Sequence, residues 1–231
     1  NTAYHISRVA GGDPGYPPFS GAEELPASRK PKRLARQYSA GWPLTDDASK
    51  TIFEDFLRKL SAMGVEIVEP DASDDLASYE EATAQTPNFF FDIMLWEIRW
   101  PFLLLGKEQP DLLSERMHSN IEQARLLTPD DYRRALQRRE RLRAQHRALN
   151  GKVDGFITLA HIGPGQIGQL QRGTPWYNDA SSAIGAPTFN LPLLSVEDVP
   201  LGIQIMGFEN GDEDLAALAR WILHAFESPA G

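Results

Sequence analysis

The chain has 231 residues, enough to bury a sizeable core in one or two domains. Its hydrophobic content of 42% and charged content of 24% are ordinary for a globular protein. The formal net charge of -9 argues against a nucleic-acid partner, and the absence of cysteine excludes disulfides, thiol catalysis and thiolate metal ligands.

No apolar run approaches a membrane span, so no membrane partner is expected. The first residue is Asn rather than Met, and no basic-then-apolar leader opens the chain. The expectation is a cytoplasmic protein, present as a processed chain or a fragment.

Residues 1–9 read as the end of a helix, with Ala3, Ile6 and Val9 on one face; Gly11-Gly12-Asp13-Pro14 stops it. A polar linker follows at 26–31, then a weakly patterned strand at 32–39. Asp46 or Thr45 caps a helix whose Ile52, Phe53, Phe56, Leu57 and Leu60 repeat at helical spacing. Gly64 ends it, and residues 65–68 form a second strand stopped by Pro70. Strand, helix and strand of these lengths predict a βαβ unit with parallel pairing.

Residues 88–100 are too uniformly bulky for a one-sided surface helix, so they are expected to be buried on several sides or to line a pocket. Thr128-Pro129-Asp130-Asp131 is a strong helix start, and the helix runs to Leu149. Seven arginines lie between 133 and 147; the whole chain is acidic, so they are read as a solvated face rather than an anion site. Residues 156–160 form a short strand, followed by the loop His161-Ile-Gly-Pro-Gly-Gln-Ile-Gly168. Ligands of open α/β sheets bind at that end of a strand. The last helix presents Leu215, Leu218, Ile222 and Phe226.

The stretch 173–207 is dense in Gly, Pro and aromatics. It predicts a loop, a helical turn near 179–184 stopped by Gly185-Ala-Pro187, and two strands covered on both faces. Gly173, Pro175, Tyr177, Asn178, Gly185, Pro187, Asn190, Pro192, Pro200, Gly202, Gln204 and Gly207 resemble the C-terminal block of the amidase signature family. Residues 10–14 are similar to the turn that closes that family's signature region. The resemblance implies serine-dependent amide hydrolysis and a mixed, largely parallel α/β sheet flanked by helices on both faces.

On this reading residues 1–231 are the C-terminal portion of such a domain. Residues 1–25 end the signature region, 32–70 form the βαβ unit, 71–150 a helical substrate-side region, and 151–231 the C-terminal sheet block.

Amide hydrolysis needs a nucleophile, a base and oxyanion donors. The family's Ser–cis-Ser–Lys arrangement is not found in this sequence. Ser181-Ser182 is the only Ser-Ser pair, it lacks flanking glycines, and no lysine has apolar surroundings. The five histidines show no metal-ligand spacing, so no cofactor or metal is expected. His161 reads first as a structural histidine.

The resemblance implies that the loops after residues 159 and 173 wall an acyl pocket, with His161, Gln166, Thr174, Trp176 and Asn178 as substrate-binding candidates. Met94 and Trp100 are added from the helical region. The expected function is the C-terminal part of a carboxamide hydrolase, its triad outside this chain and its partner a small-molecule amide. Aromatic residues around 89–102 hint at a nonpolar acyl or aryl group, but core packing explains them equally well. A catalytically inactive binding or structural domain is the alternative; an amidotransferase subunit is disfavoured by the acidic charge. Either the missing N-terminal half or self-association is expected to cover the exposed sheet.

Overall fold

The computed structural model describes residues 26–165 and 176–227. The readings for residues 1–25 and the candidates Gln166 and Thr174 fall outside them. Five strands form one open sheet: β1 (Arg33–Arg36), β2 (Glu66–Val68), β3 (Gly155–Leu159), β4 (Thr188–Val196) and β5 (Val199–Met206). Their order is β2-β1-β3-β5-β4. β1 pairs in parallel with β2 and β3, while β5 runs antiparallel to β3 and β4. Four of the five strands therefore point the same way, which is the expected mixed, largely parallel α/β sheet.

The helices are α1 (Asp47–Ala62), α2 (Asp74–Ala84), α3 (Pro87–Glu108), α4 (Glu115–Leu126), α5 (Pro129–Ala148), α6 (Asp179–Ile184) and α7 (Asp212–Glu227). They begin where side chains satisfy free backbone donors. Asp46 accepts from Ser49 N at α1, and Thr128 and Asp131 form a reciprocal capping box at α5. Gly185 ends α6 at φ 76°, a left-handed conformation in which a Cβ would be strained.

Strand alternation sends side chains to two cores. On one face Leu34, Ile157, Leu159, Ile203 and Ile205 pack against α1 and α7 through Phe53, Phe56, Leu60, Leu215 and Ile222. On the other, Ala35, Val68, Phe156 and Met206 pack under α2, α3, α5 and α6 through Tyr79, Phe89, Leu142 and Ile184. No helix of the described residues is long and apolar enough to cross a membrane.

Two expectations change. β5 is central and buried, but β4 is the edge strand and is covered on one face only. Leu191, Leu194 and Val196 are buried, whereas Thr188, Asn190, Pro192 and Ser195 are exposed. Pro192 sits where the β4–β5 register slips between Leu191 and Leu194, an edge position that tolerates a residue without N–H. Helix α3 is longer than the pattern 88–100 suggested and continues through Pro101. Phe89, Ile93 and Leu95 are buried, yet Trp100 is 83% exposed.

Candidate functional site

The C-terminal ends of β1 and β3 converge with the segment leading into α6. Gln37 N donates to Ile157 O (3.0 Å), and Ala160 N donates to Gly202 O (2.9 Å), so both strand ends are held in the sheet. The segment from 177 to 184 crosses over this end. Tyr177 packs in the α1–α7 core, whereas Ala183 and Ile184 pack in the opposite one.

Tyr177 is the anchor of the crossing. It is 1% exposed, its hydroxyl shares a 2.6 Å hydrogen bond with Thr45, and its carbonyl accepts from Gln204 Nε2 (3.1 Å). Burial pushes its phenol up to about 12, so it stays neutral. Its ring lies so close to Gly41 that a Cβ there would come within 2.6 Å of it. Position 41 therefore admits only glycine without displacing the ring.

The three described candidates surround this anchor. Trp176 is half-buried, and its carbonyl accepts from Ser39 Oγ (3.4 Å). Asn178 Nδ2 donates to Ala160 O (3.3 Å), which ties the crossing to the end of β3 beside His161. His161 Nδ1 faces Gly163 O at 2.9 Å. A carbonyl only accepts, so Nδ1 donates this bond. Met94 is half-buried on α3, and Trp100 lies on that helix's outer surface.

The region after β1 had no strong sequence pattern, yet it packs beside the crossing segment. Arg36 is buried, bonds Glu54 Oε2 (3.0 Å) and Glu69 Oε1 (3.4 Å), and stacks over Tyr38 (4.2 Å) and Trp42 (4.8 Å). Tyr38 donates to Glu69 Oε2 at 2.9 Å, and burial with that bond holds its phenol at about 12. Glu80 of α2 accepts from Tyr38 N (3.1 Å) and Ser39 N (2.6 Å), and burial raises its carboxyl despite those donors. The only hint of this cluster was its place at the end of a strand in an open sheet.

Polar groups remain open at the same end. Gln37 and Thr158, each 2% exposed, keep an amide nitrogen and a hydroxyl without a partner among the described residues. Asp179 opens α6 with its carboxyl buried, which alone pushes it up to about 6.

No nucleophile–base pair is assembled among the described residues. Ser181 is buried and its hydroxyl donates to Asn178 O (2.9 Å); Ser182 is exposed. None of the six lysines is buried. Among the described residues no group of three His, Asp or Glu side chains could hold a metal ion. Among the described residues the arrangement offers unpartnered polar groups and no nucleophile–base pair.

No family model and no curated protein sequence matches the chain. Solved structures do. An amidase aligns over 88% of this chain and 48% of its own, at TM-score 0.67 and 23% identity. A bacterial aryl acylamidase of the amidase signature family aligns over 87% and 44%, at TM-score 0.59 and 14% identity. A 6-aminohexanoate cyclic dimer hydrolase, solved with its substrate, aligns over 97% and 53%, at TM-score 0.62 and 15% identity. The chain thus spans about half the length of these structures. Its fold is that of amidase signature enzymes.

Proposed function

We propose that this chain is the C-terminal part of an amidase signature hydrolase, which cleaves a carboxamide to a carboxylate and ammonia or an amine. The acyl-serine intermediate would form on a nucleophile outside these 231 residues, and this chain would wall the acyl pocket. His161, Trp176 and Asn178 contribute described parts of that wall; Gln166 and Thr174 are proposed for the same loops.

The observation that carries the reading is the crossing segment. Its amidase-like sequence block lies over the C-terminal strand ends, pinned by Tyr177 and Asn178, in a chain with the amidase signature fold. The locked hydroxyl of Ser181 agrees with a nucleophile placed elsewhere.

The test is ammonia release from simple carboxamides by the purified chain. None is expected above the uncatalysed rate. Turnover that survives both Ser181→Ala and Ser182→Ala would overturn the placement of the nucleophile.

A further inference from the structure

Helix α5 carries seven arginines, and the structure divides them. Arg133 pairs with Asp130, Arg134 with Asp131, Arg139 and Arg143 with Glu140 (3.7 and 2.9 Å), and Arg147 with Glu209 (3.7 Å). Arg133, Arg134 and Arg147 are exposed, as expected of a solvated face, whereas Arg139 and Arg143 are half-buried and Arg143 Nε also donates to Ile184 O (2.8 Å). Arg138 and Arg141 form no ion pair with any described residue. They sit three apart, on neighbouring turns of one helix face.

Both line the same cavity, about 600 Å³ in volume, between α2, α3 and α5. That is the size range of small-molecule sites. Its floor is apolar, with Phe89 and Leu142 each almost fully buried. Gln145 and Ser78 on the wall are already bonded to each other at 2.9 Å. Glu81 is the one carboxylate in the lining, so two guanidinium groups leave it with net positive charge. Asp92 of α3 feels the field of Arg138 but lies beyond ion-pair distance. In a chain of net charge -9, a cationic pair with no ion-pair partner among the described residues, beside an apolar floor, is a local reversal.

We propose that this cavity binds an organic carboxylate, the anion held by the guanidinium forks of Arg138 and Arg141 and an aryl or alkyl body resting on Phe89 and Leu142. Guanidinium matches a carboxylate with two parallel N–H donors, which is why arginine rather than lysine serves such sites. The site is separate from the crossing segment over the strand ends, and it does not depend on the proposed hydrolysis.

Titration calorimetry at low ionic strength tests it on the full chain with three probes. 1-Naphthoate has charge and body, 1-naphthamide the body alone, and inorganic phosphate the charge alone. Naphthoate is expected to bind at least about tenfold tighter than either, and to weaken as salt screens the arginines. Arg138→Gln with Arg141→Gln should weaken naphthoate at least about tenfold. Arg133→Gln with Arg134→Gln, an equal change in charge, should leave it within about twofold. Far-UV circular dichroism confirms that both variants, changed only at exposed positions, stay folded. The proposal falls if naphthoate and naphthamide bind equally, if phosphate alone matches naphthoate, or if both double variants lose the same affinity. Absence of naphthoate binding at about 10 mM sinks it outright.

Discussion

His146 and Asp179 are both buried, and burial moves them in opposite senses. His146 stacks on Phe156 (centroids 5.1 Å) and lies tilted against Phe208 (4.9 Å), donates from Nε2 to Gly207 O (3.0 Å) and faces the Tyr79 hydroxyl with Nδ1 (3.0 Å). Desolvation lowers its pKa to about 4, against 6.5 when unfolded. Between those values the unfolded chain binds the extra proton. Its stabilisation is therefore complete above pH 6.5 and is lost as pH falls to 4, by about 3 kcal/mol in all. Asp179, raised to about 6, does the reverse: the native state takes the proton first, so acidification from 6 towards 3.8 favours folding. The two effects oppose each other in one window. Urea unfolding at pH 7 and pH 4.5 separates them through single variants. Relative to the parent, His146→Gln should lose less stability on acidification and Asp179→Asn should lose more. Parallel pH profiles for both variants would rule the account out.

At the scale of elements, the β4–β5 hairpin stores strain where sequence shows only polarity. Glu197 and Asp198 form its two-residue turn with φ of 50° and 63°, left-handed values that cost an ordinary side chain about 1 kcal/mol each. Replacing Glu197 by Asn and Asp198 by Gly supplies residues suited to that turn. The double variant should raise the urea midpoint by an amount worth about 1 kcal/mol, and an unchanged or lower midpoint would deny the strain. Much of the fold around this hairpin was legible from local signals. α1 and α7 showed their apolar spacing, α5 showed Thr128 and Asp131, and Gly185 marked the end of α6. What was not legible depends on distant partners. Nothing in Thr188–Val196 says that it ends the sheet among the described residues, and nothing in Arg36–Trp42 announces its bonds to Glu54, Glu69 and Glu80. His161, Trp176 and Asn178 are candidates only because a family resemblance named their loops. Tyr177, which anchors them, reads in sequence like any aromatic core residue.

Among the described residues the molecule presents an open strand edge and exposed apolar side chains. β4 ends the sheet as a nine-residue strand, and its outer ladder is unpaired among the described residues. A long edge of this kind templates pairing with another chain, because its N–H and C=O groups lie free in register. The helical region adds apolar exposure: Trp100 and Leu104 sit one turn apart on α3, and Leu112 and Leu126 are 70% and 81% exposed. The net charge of -9 opposes association in general, but it does not block a strand edge whose exposed side chains are Thr188, Asn190, Pro192 and Ser195. The purified chain is therefore expected to self-associate with increasing concentration, as light scattering would show. Thr188→Lys with Ser195→Lys places charge on the edge and should shift the equilibrium towards monomer by about tenfold or more. If the double variant associates as the parent does, the contact runs through Trp100 and its neighbours instead, and Trp100→Ser should then release it. A parent chain that stays monomeric on concentration and dilution alike would show that neither surface is sticky enough to need a partner.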